Sequence, residues 1–326
     1  MISSISNKPL SVITGVIIAA LAGTSVAQEF PSKPVRLIVP YSPGGSADAS
    51  ARVIAERLSE RFKQQVVIEN RTGAAGNIGS KAVVDAAPDG HTILLGFDGT
   101  LAVLPSIGKM PYNPATDLAP ITQLNNATLI LVAHPSVPAK NMTELLTYAR
   151  ANPGKLSFGT TGTGTTPHMG GELIALRANI QWTHIPYKGG AQALGDLLGG
   201  QIPLVYTAVA TAAQHINAGK AVGIGVTGAR RSPGLPNVPT LAESGLPGFD
   251  VSSWFALFAP AKTPRPIIDR IQRDVAAVLA IPEIRERYTL LGLEPVAGTP
   301  EELATVLRND TARWAQVVKQ ANIRSE

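Results

Sequence analysis

Short apolar runs of strand length alternate with segments of helical periodicity along most of this 326-residue chain. Near the start, Val35–Val39 is an almost continuous apolar run, and residues 47–62 repeat apolar side chains at helical spacing. Further apolar runs at 66–68 and 92–96 flank a helical segment at 78–87. This βαβαβ series predicts a parallel sheet that is covered by helices on both faces.

The middle of the chain repeats the same order of segments. Strands are predicted at 156–158, 182–186, 204–206 and 222–227, and helices at 166–177, 190–198 and 208–218. We therefore expect two similar α/β units.

Two longer extended runs, Ala127–Ala133 and Val251–Ala259, lie where one unit ends and the other begins. We interpret them as strands that cross between two lobes, because a chain of this length exceeds what one core usually serves. The prediction is an α/β fold of two doubly wound domains, with lobe 1 at 28–130 plus 251–326 and lobe 2 at 131–250. The last helices are predicted at 266–280, 283–291 and 300–321.

The first 27 residues have the pattern of a signal peptide. Lys8 precedes an apolar stretch at 11–22, and Ser25-Val26-Ala27 offers the small residues that signal peptidase recognises. We expect cleavage before Gln28 and export to the periplasm; an uncleaved anchor is the alternative. Because the stretch is shorter than the roughly 20 residues that span a bilayer, we expect a soluble mature protein.

The composition excludes several classes of function. The chain has no cysteine, which rules out disulfides and thiolate metal sites. Its formal net charge is +5, but basic residues are scattered and aromatic residues make up only 5%, which argues against a nucleic-acid partner. The five histidines show no metal-ligand spacing, so we predict neither a metal nor a cofactor.

The first glycine-rich loop follows the predicted strand 35–39 and opens a helix. Gly44 and Gly45 permit positive φ and let a ligand approach the main chain, and the helix start offers free N–H groups to an anion. A tight turn without a ligand is the alternative. The candidate ligand-binding residues of this loop are Tyr41, Ser42, Gly44, Gly45, Ser46, Ala47 and Asp48.

A second loop, Gly159–His168, contains five threonines. Its O–H and N–H donors suit a carboxylate or phosphate without a cationic side chain. Pro167 occupies the last glycine position of a dinucleotide fingerprint and no Walker lysine follows, so a nucleotide site is disfavoured. His168 contacts the ligand or is a structural hydrogen-bond partner. The candidates here are Thr160, Thr161, Thr163, Thr165 and His168.

Later loops add four candidates. Tyr187 lies in a Pro-Tyr-Lys-Gly-Gly loop, where Lys188 either pairs with a carboxylate or stays solvated. Tyr206 and Thr207 lie at a predicted strand-to-helix junction. Trp254, on the second long extended run, lines the cleft or belongs to the core.

Enzymatic chemistry lacks a signature in this chain. The serines near the first loop do not form Gly-x-Ser-x-Gly, and the loops contain no paired carboxylates. We therefore predict no catalytic residues, with a periplasmic hydrolase as the less favoured alternative.

An ordered set of motifs runs along the chain after residue 33. The motifs are Pro34–Tyr41, Pro43–Asp48, Asn70–Asn77, Tyr112–Pro114, Asp117–Pro120, Gly159–His168, Pro186–Gly190, Leu235–Gly245, and Trp254 with Ala259–Pro260. Together they resemble the extracytoplasmic receptors of tripartite tricarboxylate transporters, also called Bug proteins.

The resemblance implies a two-lobed periplasmic binding protein, similar to type II, that captures a small carboxylate and hands it to a membrane transporter of the tripartite tricarboxylate type. A neutral, amide or aromatic nutrient and a sensing role are alternatives, and we expect a monomer. The resemblance also implies that main-chain groups and waters of both loops hold the carboxylate. The first loop would contribute Ser42, Gly44, Gly45, Ser46 and Ala47, and the second loop Thr160, Thr161, Thr163, Thr165 and His168. The rest of the ligand would face Tyr187, Tyr206, Thr207 and Trp254.

Overall fold

The computed structural model describes Met1 and residues 30–320. The predicted leader and its cleavage site lie outside the described residues, apart from Met1, as does the predicted last residue of the C-terminal helix. The described strands are β1 (Val35–Val39), β2 (Val66–Asn70), β3 (Thr92–Phe97), β4 (Leu118–Ala133), β5 (Leu156–Thr160), β6 (Trp182–Pro186), β7 (Leu204–Ala208), β8 (Val222–Val226), β9 (Ser252–Pro260) and β10 (Leu293–Pro295). The α-helices are α1 (Ser46–Phe62), α2 (Asn77–Val84), α3 (Pro114–Asp117), α4 (Met142–Ala151), α5 (Thr166–Ala178), α6 (Gly190–Leu198), α7 (Val209–Asn217), α8 (Arg265–Leu279), α9 (Pro282–Leu290) and α10 (Pro300–Gln320).

The long strand β4 joins the two halves of the sheet. Residues 118–128 of β4 pair antiparallel with β9, and residues 129–133 pair with β7 and β8. The strand order is β2-β1-β3-β9-β4-β7-β5-β6, with β8 and β10 also paired to β4. Because β1–β3 and β5–β7 are each linked by parallel pairs, the predicted pair of α/β units is confirmed.

The second crossing lies at the beginning of β9. Val251 N–H donates to Thr227 O in the second half, whereas β9 itself pairs, among the described strands, only with β3 and β4. This pairing supports our proposal that lobe 1 is 28–130 plus 251–326 and that lobe 2 is 131–250.

The N-terminal part of β4 was not predicted, because it is rich in polar residues. Asn125 is fully buried and donates from Nδ2 to Ser50 Oγ at 2.8 Å, and Thr122 donates its hydroxyl to Gly298 O at 2.6 Å. Tertiary partners therefore bind the amide nitrogen of Asn125 and the hydroxyl of Thr122 in a strand that local hydropathy does not reveal. Helices α3 and α4 were also missed.

The helical spacing predicted for the first helix matches its packing. Ala51, Ile54 and Leu58 of α1 are fully buried, in an apolar cluster that includes Ile271 and Val275 of α8. This face fixes α1 against the first half of the sheet and so positions the glycine-rich loop before it. No helix between residues 30 and 320 combines the length and apolar character that crossing a membrane requires.

Candidate functional site

A narrow cavity, which we call the inner cavity, lies between the two halves of the molecule. Its volume, measured with a water-sized sphere, is about 20 Å³. That is room for one or two water-sized groups. The lining residues are Tyr41, Gly45, Ser46, Ala47, Phe97, Ala127, Leu129, Thr161, Pro167, Gly190, Ala208 and Phe255.

Four helices begin at the inner cavity. α1 begins at Ser46, α5 at Thr166, α6 at Gly190 and α7 at Val209, each at or beside a lining residue. None of their N-cap residues uses its side chain to cap the helix. Main-chain N–H groups and the positive ends of four helix dipoles therefore surround a space whose lining residues carry no charge.

Asp48 holds the first loop in place. Its carboxylate accepts from Gly44 N–H at 3.0 Å, from Asn70 Nδ2 at 3.1 Å and from Arg52 Nε at 2.8 Å. Burial raises the pKa of Asp48, but the hydrogen bonds from Arg52, Gly44 and Asn70 outweigh burial and keep this pKa below its usual value. The structure thus places Asp48 as an ionised anchor of the loop and not in the lining.

Several donors and acceptors near the cavity bridge the halves or lack a partner. Ser46 N–H donates to Thr211 Oγ1 at 3.1 Å, across the two halves. Within the described residues, the buried hydroxyls of Ser42 and Thr207 have no hydrogen-bond partner. Unpartnered buried hydroxyls are costly, so these two groups are suited to contact a bound molecule. Sequence reasoning missed Thr211, because no local motif marks it.

The threonine loop bonds mainly to itself. Thr160 Oγ1 accepts from Gly162 N–H at 3.2 Å and pairs with His184 Nε2 at 2.7 Å. Thr165 donates to Gly162 O at 2.7 Å, and Thr161 donates to Thr165 at 3.0 Å. Of the predicted threonines in this loop, the structure brings only Thr161 to the lining of the inner cavity.

His168 is buried inside the second half, where it supports the same loop. Gly164 N–H donates to His168 Nδ1 at 3.0 Å, and the ring stacks on His184 with centroids 3.9 Å apart. Burial lowers the pKa of His168 to about 4, and burial together with the neighbouring ring lowers the pKa of His184 to about 3. Both rings are therefore neutral at pH 7, in agreement with the structural alternative for His168. The role of His184 was missed.

Two predicted aromatic residues do not line the inner cavity. Tyr206 is fully buried against Gly170, and the indole of Trp254 donates to Asp310 Oδ2 at 2.7 Å from within the core. Phe255, the next residue of β9, lines the cavity because successive strand side chains point to opposite faces. Phe97 stacks on Phe255 with centroids 5.3 Å apart. The alternation of β9 was the signal that could have distinguished Phe255 from Trp254.

A wider space, which we call the outer crevice, also lies between the halves. Tyr41 and Thr161 line the inner cavity, and Ala75 and Gly162 line the outer crevice. The hydroxyl of Tyr41 donates to Ala75 O at 3.2 Å, and Gly162 follows Thr161 in the chain. The same loops therefore border both spaces. The described lining of the outer crevice includes two lysines and no acidic residue. It consists of Ala74, Ala75, Asn77, Leu104, Ile107, Gly108, Lys109, Met110, Gly162, Thr163, Pro186, Tyr187 and Lys188.

No metal centre is found in the part of the chain that the structure describes. Residues 30–320 contain no group of three or more His, Cys, Asp or Glu side chains that could hold an ion. The lining of the inner cavity offers neutral donors and apolar surface.

Two α/β halves, a shared long strand and a cavity at the junction define a periplasmic binding protein. The solved structure of the periplasmic binding protein BugD has a TM-score of 0.87 and 35% identity, covering 91% of this chain and 100% of BugD. R. palustris Rpa4515 with adipate has a TM-score of 0.88 and 35% identity, covering 91% of this chain and 99% of that chain. A UPF0065 protein of the tcbD-tcbE intergenic region of Pseudomonas sp. (strain P51) is 38% identical, covering 94% of this chain and 93% of that protein.

The model of the tripartite tricarboxylate transporter family receptor (TctC) matches residues 50–323. The chain therefore belongs to this family, and the resemblance drawn from the motifs is confirmed. The family consists of periplasmic solute-binding receptors and is not a family of enzymes, as expected from the missing catalytic signatures.

Proposed function

We propose that this protein binds the carboxylate of a small organic acid in the inner cavity and delivers the acid to a membrane transporter of the tripartite tricarboxylate type. We include in this proposal export to the periplasm after cleavage before Gln28, and action as a monomer. The observation that carries the proposal is the start of four helices at one uncharged cavity. Such an arrangement favours a negative group and needs no cationic side chain.

The walls of the inner cavity suit a carboxylate that is attached to an apolar carbon. Phe97, Phe255 and Leu129 provide apolar surface beside the main-chain donors of the first loop. The loops of both halves meet there, so closure would surround the carboxylate with fixed N–H groups and exclude water. The solved structure of the relative Rpa4515 with adipate supports an organic acid as the class of ligand.

We expect acids to bind and their amides to fail. Titration calorimetry with mono-, di- and tricarboxylic acids, each paired with its nearly isosteric primary amide, should show at least about tenfold weaker binding of the amide, because charge-assisted hydrogen bonds are lost. Thermal unfolding is a second readout, since an acid at 100 times its Kd adds about 2.7 kcal/mol to stability. Equal affinity for acid and amide would contradict the proposal, and turnover of the acid would favour the hydrolase. Loss of uptake of the same acid on deleting the receptor gene separates transport from sensing.

The outer crevice favours acids with a second carboxylate. Lys109 and Lys188 lie on opposite halves, and neither forms an ion pair with another described residue. An acid too long for the inner cavity would extend its other end towards these lysines. We therefore propose that dicarboxylates bind more tightly than monocarboxylates of the same chain length.

The lysine pair can be tested with adipate and hexanoate. In Lys109→Gln with Lys188→Gln, adipate should bind roughly 3 to 10 times more weakly, because two exposed charges each contribute on the order of 0.5 kcal/mol or somewhat more. Hexanoate should be unaffected. Lys220→Gln, which changes an exposed lysine outside the crevice lining, is the matched control. An equal loss for both acids, or no loss, would refute the role of the lysines and leave the inner cavity as proposed.

A further inference from the structure

Asp98 is a fully buried carboxyl group at the junction of the two halves. It follows β3 in the first half and accepts a hydrogen bond from the hydroxyl of Thr166 at 2.6 Å, the first residue of α5 in the second half. It also accepts from the hydroxyl of Ser253 and from Gly99 N–H in the first half. Thr166 is thus the partner that the other half supplies.

The second half covers Asp98 by close backbone contact. A Cβ atom at Gly99 would lie 2.8 Å from Thr165 Cα and 2.8 Å from Thr166 N, so the α5 start packs directly on the residue after Asp98. If the halves separate, this cover is removed and Asp98 gains access to water. The burial of Asp98 is therefore a property of the closed molecule.

The charged groups around Asp98 do not neutralise it. Asp310 on α10 acts on Asp98 by charge repulsion, and Asp310 itself is held by Trp254 Nε1 and by Arg313 at 3.2 Å. Tyr41 is the titratable group near Asp98 on the β1 side. Among the described residues, no cationic side chain donates to Asp98.

A carboxyl in these surroundings holds a proton near neutral pH. Burial raises the pKa of Asp98 to about 7, outweighing the hydrogen bonds from Ser253 and Thr166, and the charge of Asp310 adds to the rise. In separated halves, access to water lowers this pKa towards its ordinary value. The closed state therefore binds more protons than the open state between about pH 4 and 7.

We propose that Asp98 is a proton-linked latch: closure of the two halves on an anion transfers one proton from solvent to the Asp98 carboxylate, so affinity for the anion rises as pH falls through neutrality. The inference rests on the proposed function. The proton adds to one carboxylate oxygen, and the hydroxyl of Thr166 or Ser253 then accepts from the new O–H. The proton comes from hydronium or from the acid form of the buffer, whose conjugate base remains in solution, and no other reactant is needed.

Calorimetry with adipate at pH 6.5 and 8.5, in phosphate and in Tris, measures the linkage. Because adipate is largely ionised across this range, affinity should be about fourfold higher at pH 6.5, and binding at pH 7 should take up about half a proton. In Asp98→Asn, affinity should not change with pH and no proton should be taken up. Asp85→Asn, which changes an exposed carboxylate at the residue after α2, should behave as the wild type.

Two further measurements keep the test decisive. Thr166→Val removes a hydrogen bond that lowers the pKa, so its proton uptake should shift to higher pH; this variant serves if Asp98→Asn does not fold. With saturating adipate, the unfolding free energy of the wild type minus that of Asp98→Asn should fall as pH rises from 5 to 7, because a carboxyl group whose pKa is raised in the closed state stabilises that state only at low pH; without ligand this difference should change much less.

The possible outcomes separate the latch from the proposed function. Adipate binding without proton uptake, or uptake that persists in Asp98→Asn, overturns the latch and leaves carboxylate binding intact. If no acid binds at all, the proposed function fails, and the latch, which needs closure around an anion, is overturned with it. With adipate bound, a stability difference that is flat from pH 5 to 7 overturns the latch and leaves carboxylate binding intact.

Discussion

Gly189→Val should weaken binding of the best carboxylate by at least about 100-fold while leaving the fold intact. A Cβ atom at Gly189 would overlap Ser42 Oγ and lie 3.0 Å from Ser42 N, both of which belong to the opposite half. The φ of Gly189 is 169°, an extended value that any residue adopts, so valine adds no backbone strain. The clash therefore acts on the closed state alone and costs more than about 2.7 kcal/mol of binding energy.

The control for this closure variant is Gly195→Val on α6. A Cβ atom at Gly195 would have no neighbouring atom within 4 Å, so affinity should match the wild type. Calorimetry reports the affinity, and thermal unfolding without ligand checks that both variants fold. Wild-type affinity in Gly189→Val would show that the ligand binds without the closure seen here.

Acidification from pH 7 to pH 5 should cost the protein about 2 kcal/mol of stability through His168 alone, with a further loss through His184. The folded pKa values, about 4 and about 3, lie below the value near 6.5 of an unfolded histidine. The unfolded chain therefore binds more protons in this window. The contribution of the two histidines to the free energy of unfolding is therefore at its full value above about pH 6.5. It decreases as the pH falls, until the histidines of the folded protein are protonated as well.

Denaturant unfolding at several pH values measures this loss. Protonation of His168 Nδ1 also removes the acceptor of Gly164 N–H, so the second loop should lose order together with stability. His168→Gln should be less stable at pH 7 but should lose less stability on acidification. His215→Gln is the control, because this histidine lies near the end of α7 and outside the stacked pair. An unchanged slope in His168→Gln would disprove the assignment.

The residues behind these two predictions differ in how far the sequence alone reveals them. Gly189 could be recognised from the local sequence as a glycine between a strand and a helix, because β6 and α6 occupy the residues that periodicity predicted. The neutral histidine pair could not, because His168 and His184 lie on different elements and only the packing of α5 against β6 brings the rings together.

The inner cavity was only partly predictable. Five of the predicted ligand-binding residues reach its lining: Tyr41, Gly45, Ser46, Ala47 and Thr161. The other lining residues are mostly apolar positions of strands, such as Phe97 and Phe255, which cannot be told from core residues until the two halves are placed together. The binding roles of all these residues stay proposals, and the Gly189→Val and amide experiments address them.

The sequence by itself determined the alternation of strands and helices, and with it the position of helix N-termini at one edge of each parallel ladder, because carboxyl ends of parallel strands share an edge. Only the tertiary structure decided what those ends surround. The closure of one half on the other buries Asp98 and joins Ser46 N–H to Thr211. These contacts join residues 68 and 165 positions apart in the chain, so no local pattern encodes them.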